Sequence, residues 1–163
     1  MTKKNILIIS SLDRSLVHFR GDFIEALIKH GFEVFCAAPN FTENVITKLN
    51  KLGAKEVEFP LARTGLNPFK DMASINVLRK IIKQNHIDLV FPYTIKPVIY
   101  GSIAAKRANV PVASLITGLG FTFSAASKKA QFLQRITEAL YKFSIRKNRI
   151  IIFQNSDDLE LFY

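Results

Sequence analysis

"NILIISSLDRSLVHFRGDFIEALIKHGFEVFCAA", Asn5–Ala38, carries two apolar runs with a helical pattern between them. Asn5–Ser10 is continuously apolar, which suits a strand buried on both faces. Phe19–Gly31 reads as a helix, with Phe19, Phe23, Ala26, Leu27 and His30 on one face and Gly31 as its stop. Phe32–Ala38 is a second strand, closed by Pro39-Asn40. A strand, a crossover helix and a second strand make the unit from which parallel sheets with helices on both faces are built.

Working outward, the same alternation continues to the end of the chain. Thr42–Gly53 predicts a helix with Thr42 as its cap and glycine at its end. Lys55–Leu61 alternates, as a strand near a sheet edge does. Ala62–Asp71 reads as a loop, and Phe69–His86 as a helix with Met72, Ile75, Leu78 and Ile82 turned inward. Asp88–Tyr93 is a strand. Lys96–Ala108 is a helix that tolerates Pro97 in its first turn. Pro111–Thr117 is a strand. Lys128–Asn148 is a long helix with Phe132, Ile136, Ala139, Leu140 and Phe143 as its core stripe. Arg149–Gln154 is a last strand, and Ser156 caps the start of another helix. The expected fold is therefore α/β, a doubly wound parallel sheet of about six strands, each followed by a helix. The 163 residues suit one domain and show no repeat or linker. The last helical pattern has no C-cap, so the chain is expected to be a piece of something longer.

Composition narrows the function. With 23 Lys+Arg against 13 Asp+Glu the formal net charge is +10, which favours anionic partners: phosphate-bearing ligands, nucleic acid or an anionic membrane surface. Cys36, the only cysteine, sits in an apolar run and reads as a buried thiol. The basic start and apolar run of Met1–Leu12 mimic a signal peptide, but the run is short and Asp13 and Arg14 follow it. No segment approaches the ~20 apolar residues that span a bilayer. Three scattered histidines and one cysteine make no metal spacing, and His30 and His86 read as structural. The first strand leads into Ser10-Ser11-Leu12-Asp13 without G-x-G-x-x-G, and the second ends in Ala37-Ala38-Pro39 without an acidic residue, so NAD is not expected. There is no P-loop and no G-x-S-x-G elbow.

In a doubly wound sheet ligands bind beyond the carboxyl ends of the strands. Three loops there carry candidate groups. Ser10–Asp22 brings Asp13, Arg14, His18 and Arg20 near a helix N-terminus, with Gly21 open to a ligand. Pro92–Gly101 ends a strand at Tyr93 and Thr94 and places Lys96 at a helix start, where a lysine opposes the helix dipole. Ser114–Gln131 offers Gly118 and Gly120 for close backbone approach, then Phe121 and Phe123. The helix after it holds seven Lys/Arg and one Glu over residues 128–149. A basic face beside exposed aromatics suits an anionic membrane surface.

Asn5–Pro39, "VFPYTIKPVIYGSIAAKRANVPVASLITGLGFTF" (Val90–Phe123) and "IIIFQNSDDLELF" (Ile150–Phe162) together resemble the N-terminal domain of a GT-B fold, family 4-type bacterial glycosyltransferase. The similarity covers nearly the whole chain. It implies a single Rossmann-like domain over residues 1–163 that binds the acceptor, with the C-terminal donor domain absent. It further implies metal-independent transfer with retention and no cofactor. The donor would be a nucleotide-sugar. The acceptor would be a polyprenyl-diphosphate-linked glycan at the inner face of the plasma membrane, in capsule, O-antigen or other glycan synthesis. The chain would be cytoplasmic and peripheral. It would be inactive without a donor domain, supplied in cis or by a donor-binding subunit. Many relatives carry a histidine at the end of the fifth strand, where this chain has Thr117-Gly118, so a histidine role does not carry over there.

The expected binding groups are His18, Arg20, Gly21, Thr94, Lys96, Gly118 and Gly120, with His18 also placed to orient an acceptor hydroxyl. Phe121, Phe123, Lys128, Lys129 and Arg135 are the expected membrane contacts. Two other classes stay open on the residues alone. One is a non-catalytic peripheral membrane or phosphate-ligand binding module. The other is a nucleic-acid binder, suggested by charge but without a groove-reading motif and not the expected partner.

Overall fold

The computed structural model describes residues 3–62, 67–117, 128–154 and 156–160. Strands and helices alternate through them: β1 (Asn5–Ile9), α1 (Asp13–His18), α2 (Gly21–Lys29), β2 (Glu33–Ala38), α3 (Glu43–Leu52), β3 (Lys55–Glu58), α4 (Pro68–Gln84), β4 (Leu89–Pro92), α5 (Ile95–Ala108), β5 (Ala113–Ile116), α6 (Lys128–Ile145), β6 (Ile150–Phe153) and α7 (Ser156–Glu160). Four strands form a sheet in the order β3-β2-β1-β4, and β5 pairs with β6 in a second ladder. Every pairing is parallel. Two isolated bridges, Val90 to Val112 and Tyr93 to Leu115, join β4 to β5. The strands thus run 3-2-1-4-5-6 across one Rossmann-like, doubly wound array. The six expected strands are present among the described residues, divided into ladders of four and two because β4 and β5 touch only at those bridges.

Alternation along each strand sends side chains to two cores. Leu7, Ile9, Phe35, Ala37 and Val90 pack under α4, α5 and α6, with Leu78, Ile82, Val98, Ala104 and Tyr141. Ile6, Ile8, Val34, Cys36, Ala38 and Phe91 pack under α1, α2 and α3, with Leu16, Ile24, Val45 and Leu49. That is why β1 and β2 read as continuous apolar runs. β3 lies at the edge and keeps only Val57 partly inside.

Several sequence expectations change. Ser10–Asp22 is not all loop, because Asp13–His18 forms a short helix that buries Leu16 and the Asp13 carboxylate. The buried member of α2 is Ile24, whereas Phe19 precedes the helix and is exposed, as are Phe23, Ala26 and His30. Thr42 stands at the start of α3 but makes no side-chain cap there; its hydroxyl donates to Asp13 at 2.9 Å instead. Met72 is exposed, where the Arg107 guanidinium reaches its sulfur at 3.4 Å, while Ile75, Leu78, Ile81 and Ile82 go inward. Among the described side chains of α6 the buried ones are Tyr141, Ser144 and Ile145; of the expected stripe Ile136 is half-buried, and Ala139, Leu140 and Phe143 face out. The expected Phe132 lies outside the described side chains. The cause is docking direction: α6 packs on α5, and Tyr141 and Ile145 join the core that also holds Val112 and Ile116.

Asn148 closes this half. Its amide donates to Ser102 on α5 at 2.9 Å and to Ser114 on β5 at 3.0 Å. Gly31 and Gly53 end their helices at φ +86° in the left-handed region, as the sequence predicts.

Candidate functional site

The strand order reverses between β1 and β4, and there a cleft of about 280 Å³ opens. Ser15, Phe19, Arg20, Tyr93, Thr94, Thr117 and Gln154 line it. Each comes from the carboxyl end of a strand or the segment after it, where a doubly wound sheet exposes backbone and helix N-termini.

Backbone geometry builds the floor. Tyr93 N–H donates to Ile9 C=O at 3.1 Å, tying the end of β4 to the end of β1. The next residue, Thr94, has φ 67° and ψ 158°. A β-branched residue is very rarely found there, since the region belongs almost wholly to glycine. Thr94 is held by its hydroxyl, which donates to Ser11 Oγ at 3.1 Å, and by its carbonyl, which accepts from Val98 N–H at 3.0 Å. α5 can approach this closely because of Gly101. A Cβ there would lie 2.9 Å from Ile9 Cδ1 and 3.1 Å from Pro92 Cβ.

The wall next to the floor is polar. Tyr93 is buried, and its hydroxyl shares a hydrogen bond with Ser15 Oγ at 3.0 Å. Burial pushes the phenol above its ordinary pKa, although hydrogen bonds from Ser10 and Ser15 and the charge of Arg20 oppose the shift. Tyr93 is therefore a neutral hydroxyl. The Arg20 guanidinium stacks 5.1 Å from the Tyr93 ring centroid, and its Nη1 donates to Phe19 C=O at 3.0 Å. Its Nε is buried and has no hydrogen-bond partner among the described residues. An unpaired buried donor costs about 1–3 kcal/mol. A cation with an idle donor, the hydroxyls of the lining residues Ser15, Thr94 and Thr117 and the Gln154 amide can hold an anionic, polyhydroxylated ligand. No carboxylate, thiol or imidazole lines the cleft among the described residues.

Asp13 ties α1, which carries Ser15, to the start of α3. Its carboxylate accepts from Thr42 N–H and Oγ at 2.9 Å each and from Arg14 N–H at 2.6 Å. Burial alone would raise its pKa, and those bonds outweigh it and hold the carboxyl below its usual range.

The expected site residues divide. Arg20 and Thr94 line the cleft. His18 ends α1 exposed and is not among the lining residues. Gly21 begins α2, and a Cβ there meets nothing within 4 Å, so packing does not demand glycine. Lys96 turns away from the cleft. Its ammonium donates to Ala62 C=O and lies 3.8 Å from Asp71, mostly buried. Burial lowers its pKa while Asp71 opposes the shift. Gly118, Gly120, Phe121 and Phe123 fall outside the described residues. Lys128 and Lys129 belong to α6 with side chains outside the description, and Arg135 is exposed on the same helix. Ser15, Phe19, Thr117 and Gln154 were not singled out by sequence reasoning. Their one signal is position, at or just beyond strand ends.

Among the described residues no group of three or more His, Cys, Asp or Glu side chains could hold a metal ion. No helix among them is long and apolar enough to cross a membrane.

Comparison with known proteins agrees with this geometry. A family model described as "Glycosyl transferase 4-like" matches residues 5–155. N,N'-diacetylbacillosaminyl-diphospho-undecaprenol alpha-1,3-N-acetylgalactosaminyltransferase of Campylobacter jejuni is 31% identical over 153 residues, which is 93% of this chain and 40% of that protein. The chain thus spans well under half the length of this curated relative. Among solved structures, MurG of Acinetobacter baumannii superposes with a TM-score of 0.61 at 15% identity, covering 96% of this chain and 42% of that one. MnaA of S. aureus, solved with UDP, superposes with a TM-score of 0.65 at 16% identity, covering 99% and 41%. At such identities the superpositions speak for the fold alone. The family model, spanning both the β1–β4 switch and the strand ends that line the cleft, places this chain in the glycosyl transferase 4-like family.

Proposed function

We propose that this chain is the acceptor-binding half of a glycosyltransferase that moves a sugar from a nucleotide-sugar to a polyprenyl-diphosphate-linked glycan. The observation that carries the reading is Arg20, with an idle buried Nε above Tyr93 and hydroxyls on the cleft wall beside it. A guanidinium suits a phosphoryl oxygen, and the hydroxyls and Gln154 suit a sugar.

In this reading the acceptor's charged group meets Arg20 while Thr94, Thr117 and Gln154 fix the sugar. Gly118 and Gly120, outside the described residues, are the further binding groups of this reading. Transfer proceeds with retention and without metal or other cofactor. The leaving diphosphate is stabilised by basic groups and helix N-termini of a donor domain, in cis or from another subunit. In this reading the chain binds the acceptor and does not transfer without that donor domain. Phe121, Phe123, Lys128, Lys129 and Arg135 hold it against the inner face of an anionic membrane. The product enters capsule, O-antigen or related glycan synthesis. Arg20 and the hydroxyls of Ser15 and Thr94 would serve equally in one second reading, a phosphate-ligand binding module with no transfer at all.

Calorimetry with a short-chain polyprenyl diphosphate N-acetylhexosamine tests the first reading. Arg20→Gln is expected to weaken binding by about 10–100-fold, as losing a charged hydrogen bond would. Unchanged affinity would overturn it. Equal affinity for polyprenyl diphosphate lacking the sugar would favour the binding module.

A further inference from the structure

Phe19 is an aromatic set on the cleft wall by its own backbone. α1 ends at His18 and α2 begins at Gly21, so Phe19 and Arg20 form the turn between two helices. Phe19 N–H donates to Ser15 C=O at 3.1 Å, and Phe19 C=O accepts from Arg20 Nη1 at 3.0 Å. Arg20 takes φ −128° and ψ 3°, which breaks the helical path. That break leaves the ring on the cleft wall. Every group involved lies within this chain, and the seat of the ring is set by bonds within residues 15–20.

The rest of the wall shows what that ring can meet. Tyr93 is buried with the Arg20 guanidinium over its ring, so Phe19 is the aromatic face left to a ligand among the described residues. Ser15, Thr94, Thr117 and Gln154 add three hydroxyls and an amide, and no aliphatic side chain lines the cleft among the described residues. A pyranose matches that set. It has an apolar C–H face that an aromatic ring can cover, and its rim of hydroxyls bonds to the polar groups around it. An isoprenoid chain does not match, because it is apolar on every side and needs aliphatic walls. A lone phosphate has no use for a phenyl ring. We infer that Phe19 is a specificity-determining residue of the cleft: its ring stacks on the apolar face of the acceptor's sugar, next to the phosphoryl group held by Arg20. The inference rests on the acceptor-binding reading and deepens it, by dividing the ligand between Phe19 for the sugar and Arg20 for the charge.

Calorimetry with two probes separates these parts: a short-chain polyprenyl diphosphate N-acetylhexosamine, and the same polyprenyl diphosphate without the sugar. Phe19→Ala removes a ring that no core cluster contains, so the fold is expected to survive it. It is expected to weaken the sugar-bearing probe about five- to tenfold, since covering one face of a phenyl ring is worth about half its burial. The sugar-free probe is expected to stay within about twofold of the parent. Phe19→Trp is expected to restore affinity for the sugar, whereas Phe19→Leu, apolar but without a flat face, is not. Equal losses on both probes would assign the ring to the prenyl chain and overturn the inference, as would full rescue by leucine. An unchanged sugar-bearing probe with Phe19→Ala, while Arg20→Gln still weakens both probes, would overturn it and leave the acceptor-binding reading standing. If Arg20→Gln changes neither probe, or the parent binds neither, that reading falls and takes the inference with it.

Discussion

Thr94 gives an inverted stability order. At φ 67° and ψ 158° its Cβ sits where only glycine is comfortable, a strain of about 1–3 kcal/mol. Replacing Thr94 by Ala removes the hydrogen bond to Ser11 Oγ and keeps the strain. Replacing it by Gly removes the same bond and the strain together. Against that gain, glycine loses about 0.4–1 kcal/mol more conformational entropy than alanine on folding. The balance makes Thr94→Gly more stable than Thr94→Ala by about 1–2 kcal/mol, where the usual order is the reverse. In a chain of this size each kcal/mol is worth about 2–4 °C in Tm. Urea unfolding of both variants at one pH reads the difference directly. An alanine variant as stable as the glycine variant, or more so, would refute the claim that Thr94 is strained. The glycine variant should also bind ligand in the cleft more weakly, because the hydroxyl at its floor is gone and the turn is free to relax.

Gly101→Ala is expected to destabilise by about 1–3 kcal/mol through overpacking against Ile9 and Pro92, read as a lowered Tm, although alanine favours a helix interior by about 1 kcal/mol. Asp13 has a lowered folded-state pKa, so its contribution is full above the unfolded carboxyl value near 4 and is lost as pH falls through the folded value. Urea midpoints measured from about pH 6 downward should therefore drop more steeply for the parent than for Asp13→Asn, which starts lower by about 1.5–3 kcal/mol. Cys36 is buried and its thiol is pushed up to about 12, by burial first and by Glu56 second. Labelling by a thiol reagent at pH 8 should therefore proceed only at the rate of unfolding, and rapid labelling of the native chain would contradict the burial. Alanine at Lys128, Lys129 and Arg135 together should lower binding to anionic vesicles in sedimentation assays and leave neutral vesicles unaffected; an unchanged anionic fraction would remove the membrane face.

The alternation of strand and helix was legible because parallel strands buried on both faces must be continuously apolar. Asn5–Ser10 and Phe32–Ala38 say so without ambiguity. Which stripe of a helix goes inward was less legible. On α6 the inward turn of Tyr141, Ser144 and Ile145 follows from its packing on α5, which no local periodicity encodes. The short helix α1 escaped notice because six residues are too few for a period, and what fixes it is Asp13 reaching Thr42, 29 positions away. Arg20 and Thr94 were found by position after a strand. Lys96 was chosen by the same rule and lies elsewhere, because Asp71 and Ala62, far from it in sequence, capture its ammonium.

The two ends of the sheet around β1 and β4 show why the cleft, and not some other recess, is the place to look. At the amino end the polar groups are matched. Asp88 accepts from Asn5 N–H at 2.8 Å and from Lys4 Nζ at 3.0 Å, and the Asn5 amide donates to Asn85 C=O at 2.9 Å. The backbone hydrogen bond from Asn5, with Lys4 second, holds the Asp88 carboxyl below its usual range. At the carboxyl end the same strands finish in a strained threonine and an arginine with an idle donor. Strain and an unpaired donor at one end of a strand pair are costs that the other contacts of the fold offset, and their coincidence with the strand-order switch marks that end as the candidate site.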